Sequence, residues 1–211
     1  MRVQAFVTGA FEANCYVVID EPSGAAAIVD PGADGDDLVA AIRGLDATPQ
    51  AVWLTHAHVD HIGAVAAVRR AWSVPVYLHP ADLPLYRAGE AQAAAYGLWF
   101  EQPDDPDAWF ADGQVLTLGS LRFEVMHAPG HAPGHVVIHG HGIALVGDCL
   151  FAGSVGRTDL PLANAADLDR SLARIAALPA ETRVLPGHGA ATTVGHEFRT
   201  NPFLAGRATH R

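Results

Sequence analysis

Four short apolar runs in this chain stop on an ionisable side chain, and this arrangement narrows the folds open to it. Ala51–Leu54 leads into Thr55-His56-Ala57-His58-Val59-Asp60-His61, and Leu121–His127 leads into Ala128-Pro129-Gly130-His131. Leu145-Val146-Gly147 stops on Asp148, and Leu185-Pro186-Gly187 stops on His188. A buried strand is rigid, so a loop residue at its exit is held far better than one in a free loop. Strands outnumber helices and come in runs. That argues for stacked sheets with helices outside them, not for a simple doubly wound parallel sheet.

The strand runs are Val3–Val7, Cys15–Asp20 and Ala25–Asp30, the last two separated by the turn signal Glu21-Pro22-Ser23-Gly24. Asp36–Leu45 has helical spacing, with Leu38, Ile42 and Leu45 on one side and acids at its start. A helix is expected over Ile62–Trp72, a strand over Val74–Leu78, and two helical pieces over Pro80–Gly97 broken near Gly89. Gln102–Asp107, with two Pro and three Asp, reads as a surface loop. Strands resume at Gln114–Leu118, Leu121–His127, Val136–His139 and Ile143–Val146. Asp167–Leu178 is a patterned helix, and Thr182–Leu185 is a last strand. No linker, repeat or low-complexity segment divides residues 1–211, so one domain is expected.

Composition excludes several classes of function. The net charge of -10 argues against a nucleic-acid backbone as partner. All 13 basic residues are Arg, which removes Schiff-base chemistry and a Lys general base. No apolar run reaches the roughly 18 residues of a spanning helix, and no secretory leader pattern opens the chain. No membrane association and a cytoplasmic location are expected. Two cysteines, Cys15 and Cys149, are too few for a disulfide framework, and 12 His outnumber them. A metal site here must use imidazole and carboxylate, which suits zinc, iron or manganese.

A bare His-X-His is a weak signal, but Asp60 and His61 at fixed spacing after an apolar strand make it strong. In a tight loop, alternate side chains point into one space while Asp60 and His61 diverge toward a neighbouring point, so one cluster can serve two metals. The series T-H-A-H-V-D-H, A-P-G-H, G-D-C-L-F and P-G-H-G resembles the metallo-β-lactamase-fold hydrolases, over about Val3 to His188. Within them the chain looks most like the short glyoxalase II (hydroxyacylglutathione hydrolase-like) branch. Asn14-Cys15-Tyr16, Val29-Asp30-Pro31-Gly32, Gly156-Arg157-Thr158-Asp159 and Thr200-Asn201-Pro202-Phe203-Leu204 carry that closer match.

The resemblance implies a four-layer αββα sandwich, two mixed β-sheets with helices on their outer faces, without the helical C-terminal domain of full-length glyoxalase II. It implies two divalent ions, zinc first, with iron or manganese as alternatives. One would be held by His56, His58 and His131, the other by Asp60, His61 and His188, with Asp148 bridging. Such a pair, about 3.5–4 Å apart, activates water toward hydroxide for attack on a carbonyl. Asp60 and Asp148 are the catalytic carboxylates, mainly as ligands, with Asp60 also placed to orient the water. The implied substrate is S-lactoylglutathione or a similar small thioester. True β-lactamases usually carry Cys where Asp148 stands and lack the equivalent of His61.

Arg157 resembles the cation that contacts a glutathione carboxylate, against a plain structural pair with Asp159. Ala190 stands where those enzymes commonly present a Tyr. Two other functions share the pattern: a persulfide dioxygenase holding a single iron on His56, His131 and Asp148, and a metal-binding protein without turnover. His135 and His127 are expected to pack or to support the site, and His79, His139, His141, His196 and His210 to lie outside it. Cys149 follows Asp148 on an extended strand, so it should point the other way, into the core.

Overall fold

The structure, a computed structural model, describes residues 1–204, so His210 lies outside the described residues. The chain opens with three strands, β1 (Arg2–Thr8), β2 (Ala13–Ile19) and β3 (Ala25–Val29), followed by helix α1 (Gly35–Arg43) and β4 (Thr48–Trp53). Helices α2 (Val59–Ile62) and α3 (Val65–Trp72) precede β5 (Val76–Leu78). A 3-10 turn (Pro80–Asp82) then leads to α4 (Leu83–Arg87), α5 (Gly89–Ala95) and β6 (Ala108–Trp109). The second half holds β7 (Val115–Leu118), β8 (Leu121–His127), β9 (Val136–Gly140), β10 (Ile143–Gly147) and the small hairpin β11 (Leu150–Phe151) and β12 (Ser154–Val155). Helix α6 (Ala165–Ala176), β13 (Arg183–Pro186), β14 (Thr192–Thr193) and α7 (Val194–Thr200) complete it.

Two six-stranded mixed sheets form, in the orders β1-β2-β3-β4-β5-β6 and β14-β13-β10-β9-β8-β7. Both faces of β2 and β3 are buried, which explains their unbroken apolar sequences. By contrast β8 alternates, with Leu121, Phe123 and Val125 inward and Arg122 and Glu124 outward. Val18, Val29 and Trp53 of the first sheet meet Phe123, Ile138 and Leu145 of the second, with Trp53 and Phe123 edge to face at 5.7 Å. Each such buried side chain contributes about 1.5–3 kcal/mol.

The outer faces are covered by helices. Leu38 and Ile42 of α1 and Val65 and Val68 of α3 pack on Val17, Ile28 and Val52. On the other side Leu168, Leu172 and Ile175 of α6 cover Val137, Ala144 and Val146. The result is the αββα sandwich that the sequence implied. Asn164 caps α6 by accepting from the Asp167 N–H, and Asp36 and Asp37 complement the dipole at the start of α1.

One expectation near the cluster is corrected. The helix expected over Ile62–Trp72 starts at Val59 and is broken after Ile62, because the Ala64 N–H donates to the Pro31 carbonyl at 2.9 Å instead of continuing the ladder. Asp60 and His61 therefore sit on a helical turn, not in a loop. Among the described residues, no helix is long and apolar enough to cross a membrane.

Candidate metal centre

Strands β3 and β4 run parallel, as do β10 and β13, so their carboxyl ends lie side by side in each sheet. The segments leaving β4, β8, β10 and β13 carry the seven expected ligands, and their side chains converge. His56, His58 and His131 offer donor atoms within 4.8 Å of one another, as do Asp60, His61 and His188. In the first group His58 Nδ1 lies 2.9 Å from His131 Nε2. In the second, His188 Nε2 lies 3.1 Å and His61 Nε2 3.7 Å from Asp60 Oδ2. Asp148 reaches both groups, with Oδ1 3.4 Å from His61 Nε2 and Oδ2 3.5 Å from His131 Nε2 and 3.6 Å from His188 Nε2.

The donors are oriented from behind. Thr55 Oγ1 donates to Asp30 Oδ2 at 2.6 Å, so His56 Nδ1–H donates to that hydroxyl at 3.0 Å. His61 Nδ1 donates to Asp30 Oδ2 (3.1 Å), His131 Nδ1 to the Arg157 carbonyl (2.9 Å) and His188 Nδ1 to the Phe11 carbonyl (3.0 Å). Four rings thus have Nδ1 occupied and Nε2 turned inward, the arrangement that fixes a ligand's tautomer. Only His58 faces the others through Nδ1.

This donor set fits metal ions. His56 Nε2, His61 Nε2 and Asp148 Oδ1 are buried atoms without a hydrogen-bond partner. An unsatisfied buried polar atom costs about 1–3 kcal/mol, and all three belong to one cluster of nitrogen and carboxylate donors that a cation would satisfy.

Electrostatics agree with that reading. Burial pushes His56 well below its ordinary value, and the neighbouring His61 adds to this. Burial, then His131, lowers His58 to about 4. Burial would lower His61 too, but the carboxylates of Asp148 and Asp60 outweigh it and raise that ring well above 6.5. Burial would raise Asp148, yet His61 foremost holds it below the usual carboxylate range. Without metal, positive charge is thus favoured on His61 and also on His188, both beside the two carboxylates.

Several supporting residues stand behind the ligands, and one of them, Asp30, also has a donor atom within 4.8 Å of those of His56 and His61. Asp30, in the left-handed region at φ 50°, accepts from Thr55 N–H at 2.7 Å in addition to Thr55 Oγ1 and His61. Asn14 Nδ2 donates to the Pro186 and Gly189 carbonyls (3.0 and 2.9 Å) and Tyr16 OH to Pro186 (2.7 Å), tying β2 to the His188 turn of the other sheet. A Cβ at Gly187 would lie 2.1 Å from Asp148 Oδ1, so only glycine leaves that carboxylate room. The motifs around Asn14 and Asp30 signalled these positions; their roles emerge only from the packing.

His135 sits behind the centre, its Nε2 accepting from the Asp148 N–H at 3.0 Å and its ring stacked on His56 at 4.9 Å. His127 and His79 stack on each other at 4.0 Å. Cys15 and Cys149 are free and fully buried. The Arg157 guanidinium is exposed and makes a two-pronged pair with Asp159 (2.7 Å each), while its backbone carbonyl holds His131. A cleft of about 600 Å³ opens against Asp60, walled by Phe11, Leu98, Trp99 and Phe100 and by the acids Asp36 and Asp37. Trp99 is 83% exposed.

Comparison with known proteins places these features among relatives. Residues 8–188 match the family described as the Metallo-beta-lactamase superfamily. The hydroxyacylglutathione hydrolase GloC of Haemophilus influenzae is 35% identical over 209 residues, 97% of this chain and 98% of that protein. A crystal structure described as BLEG-1 B3 metallo-beta-lactamase superposes with a TM-score of 0.91 at 37% identity, covering 97% of this chain and 100% of that one. TTHA1623 in a di-iron-bound form gives 0.89 at 44% identity, covering 95% and 100%. ETHE1 from Myxococcus xanthus gives 0.82 at 27%, covering 98% and 85%.

Proposed function

Since the chain belongs to the metallo-beta-lactamase superfamily and is a metallo-hydrolase of that family, we propose that it is a thioesterase of the glyoxalase II type, cleaving S-lactoylglutathione or a similar small thioester with water. One observation carries the reading. Two donor groups share a single carboxylate, Asp148, and three buried atoms without partners, His56 Nε2, His61 Nε2 and Asp148 Oδ1, meet in that centre. His56, His58 and His131 would hold one divalent ion and Asp60, His61 and His188 the other, with Asp148 between; zinc is the first expectation, iron or manganese the alternatives. Such a pair supplies Lewis acidity to a carbonyl oxygen and lowers the pKa of water toward neutrality.

The chain's own groups do the rest. Asp60 lines the cleft and stands 3.1 Å from His188 Nε2, where its carboxylate can accept a hydrogen bond from the attacking water and orient it. The aromatic walls of the cleft suit an uncharged arm of the substrate, and Asp36 and Asp37 disfavour an anion there. An anionic thiol portion would instead be met by Arg157, which must exchange its exposed and therefore weakly held pair with Asp159. The two free cysteines accord with a cytoplasmic enzyme.

A panel experiment tests the proposal: turnover of several thioesters, a cephalosporin and glutathione persulfide by protein of measured metal content. Two ions per chain with thioester cleavage as the fastest reaction is the expected result. The juxtaposition of His56, His131 and Asp148, with Asp148 Oδ2 3.5 Å from His131 Nε2, favours a second reading, persulfide dioxygenation with iron on these three residues. One iron per chain with oxygen consumption on the persulfide would select that reading and overturn the thioesterase. Bound metal without turnover of any substrate would overturn both.

A further inference from the structure

Asp82 is a carboxylate with no exposed surface, and it is neither a ligand candidate nor part of the chemistry above. It ends the 3-10 turn after β5 and reaches two different ligand-bearing segments. Oδ2 accepts the N–H of Ala57, the residue between His56 and His58, at 3.0 Å. Oδ1 accepts the N–H of Gly134, in the turn that follows His131, at 2.5 Å. No cation pairs with it among the described residues' ion pairs, so two backbone N–H groups alone offset the cost of burying the charge. Burial accordingly pushes its carboxyl up to about 7.

The fit around Asp82 is tight and repeated. A Cβ on Gly134 would come within 2.6 Å of Asp82 N and 2.9 Å of its Cβ and Cγ, so the turn lies directly on the carboxylate. His79, three residues earlier, stacks on His127, whose Nε2 contacts the Pro133 carbonyl at 2.9 Å in the same turn. Gln92 of α5 completes the grip on the other segment. Its Nε2 donates to the Ala57 carbonyl and its Oε1 accepts from Val59 N–H, both at 3.1 Å, so His58 is flanked by held peptides.

We propose that Asp82 is a positioning residue for the His56–His58–His131 set: one carboxylate, bound to both segments, fixes the separation between His58 and His131 that a metal ion must match. It has no comparable hold on Asp60, His61 and His188, which are tied through Asp30, Phe11, Asn14 and Tyr16. The proposal rests on the two-set centre described above, but not on the thioesterase reading. A carboxylate that served stability alone would weaken both sets together when removed.

Calorimetric titration of metal-free protein with zinc tests this, alongside circular dichroism to report folding. Wild type should take two ions. Asp82→Asn, which keeps the shape and loses one acceptor, should weaken one ion by about 10–100-fold and leave the other within about twofold. His58→Ala should weaken the same ion, and the double variant should lose little more than His58→Ala alone. If Asp82→Asn unfolds without metal, the split is read on protein purified with zinc, as the fraction of metal a chelator removes quickly. Equal weakening of both ions in folded protein, no weakening, or additive losses in the double variant would overturn the proposal. Should wild type take one ion only, the proposal falls if His58→Ala loses it and Asp82→Asn does not. Since turnover is not read, a protein that binds two ions but cleaves no thioester refutes the function and leaves this inference standing.

Discussion

At the scale of single residues, Arg157 is where substrate choice is most exposed to test. Its guanidinium is already paired with Asp159, and its carbonyl fixes His131 whatever the side chain does. Arg157→Ala therefore removes a charge without disturbing the centre. It should raise KM about three- to fivefold for thioesters with an anionic thiol portion, as expected for one exposed ion pair. The kcat should stay within about twofold, and a neutral thioester should show no change in KM. Steady-state kinetics on the matched pair of substrates decides it, and equal KM shifts on both would leave Arg157 only its partnership with Asp159. The seven ligand candidates were legible because each follows a strand in a short motif. Asp82 and Gln92 were not, and the motif at Asp30 marked its position without its role, since all three act on backbone N–H groups or other side chains from 25 or more positions away. Nothing in local spacing marks such a partner.

At the scale of elements, strands of three or more residues were readable and two-residue strands were not. The strands β6, β11, β12 and β14 have two residues each, too few for any alternation to show. Helix α7 was missed for a different reason. Its inward Glu197 is fully buried and bonds Thr192 Oγ1, Gly153 N–H and Asn201 Nδ2, so polar contacts replace part of an apolar stripe. Helix α6 is the opposite case, with Leu168, Leu172 and Ile175 repeating at helical spacing. Leu172 is 1% exposed against the outer face of the second sheet. Leu172→Ala should cost about 2–5 kcal/mol in urea unfolding and leave metal content unchanged. A loss of metal in the folded variant would mean that α6 holds the centre as well as the sheet.

For the whole molecule, the same burial that orients the donors makes the metal-free protein sensitive to acid. Burial lowers His56, His58 and His135 from their ordinary 6.5, His58 to about 4. Between those values the unfolded chain binds protons that the folded one refuses, so stability rises with pH in that window and falls as pH drops through it. His58 alone accounts for about 2 kcal/mol by pH 5. Asp82, raised to about 7, has the opposite sign: the folded state gains its proton first, which returns about 2 kcal/mol over the same descent. His61, raised, adds no slope below 6.5, because it is then protonated in both states. The loss at His58 and the gain at Asp82 nearly cancel, and His56 and His135, both driven well below 6.5, together with His79, lowered to about 4, decide the sum toward instability. Chelator-treated protein should therefore unfold at lower urea at pH 5 than at pH 7, with an unchanged dependence on denaturant. Asp82→Asn, which cannot take up that proton, should steepen the fall. A midpoint that stays level or rises on acidification would mean that these histidines are solvated in the metal-free protein, and that the donors reach their inward arrangement only when metal binds.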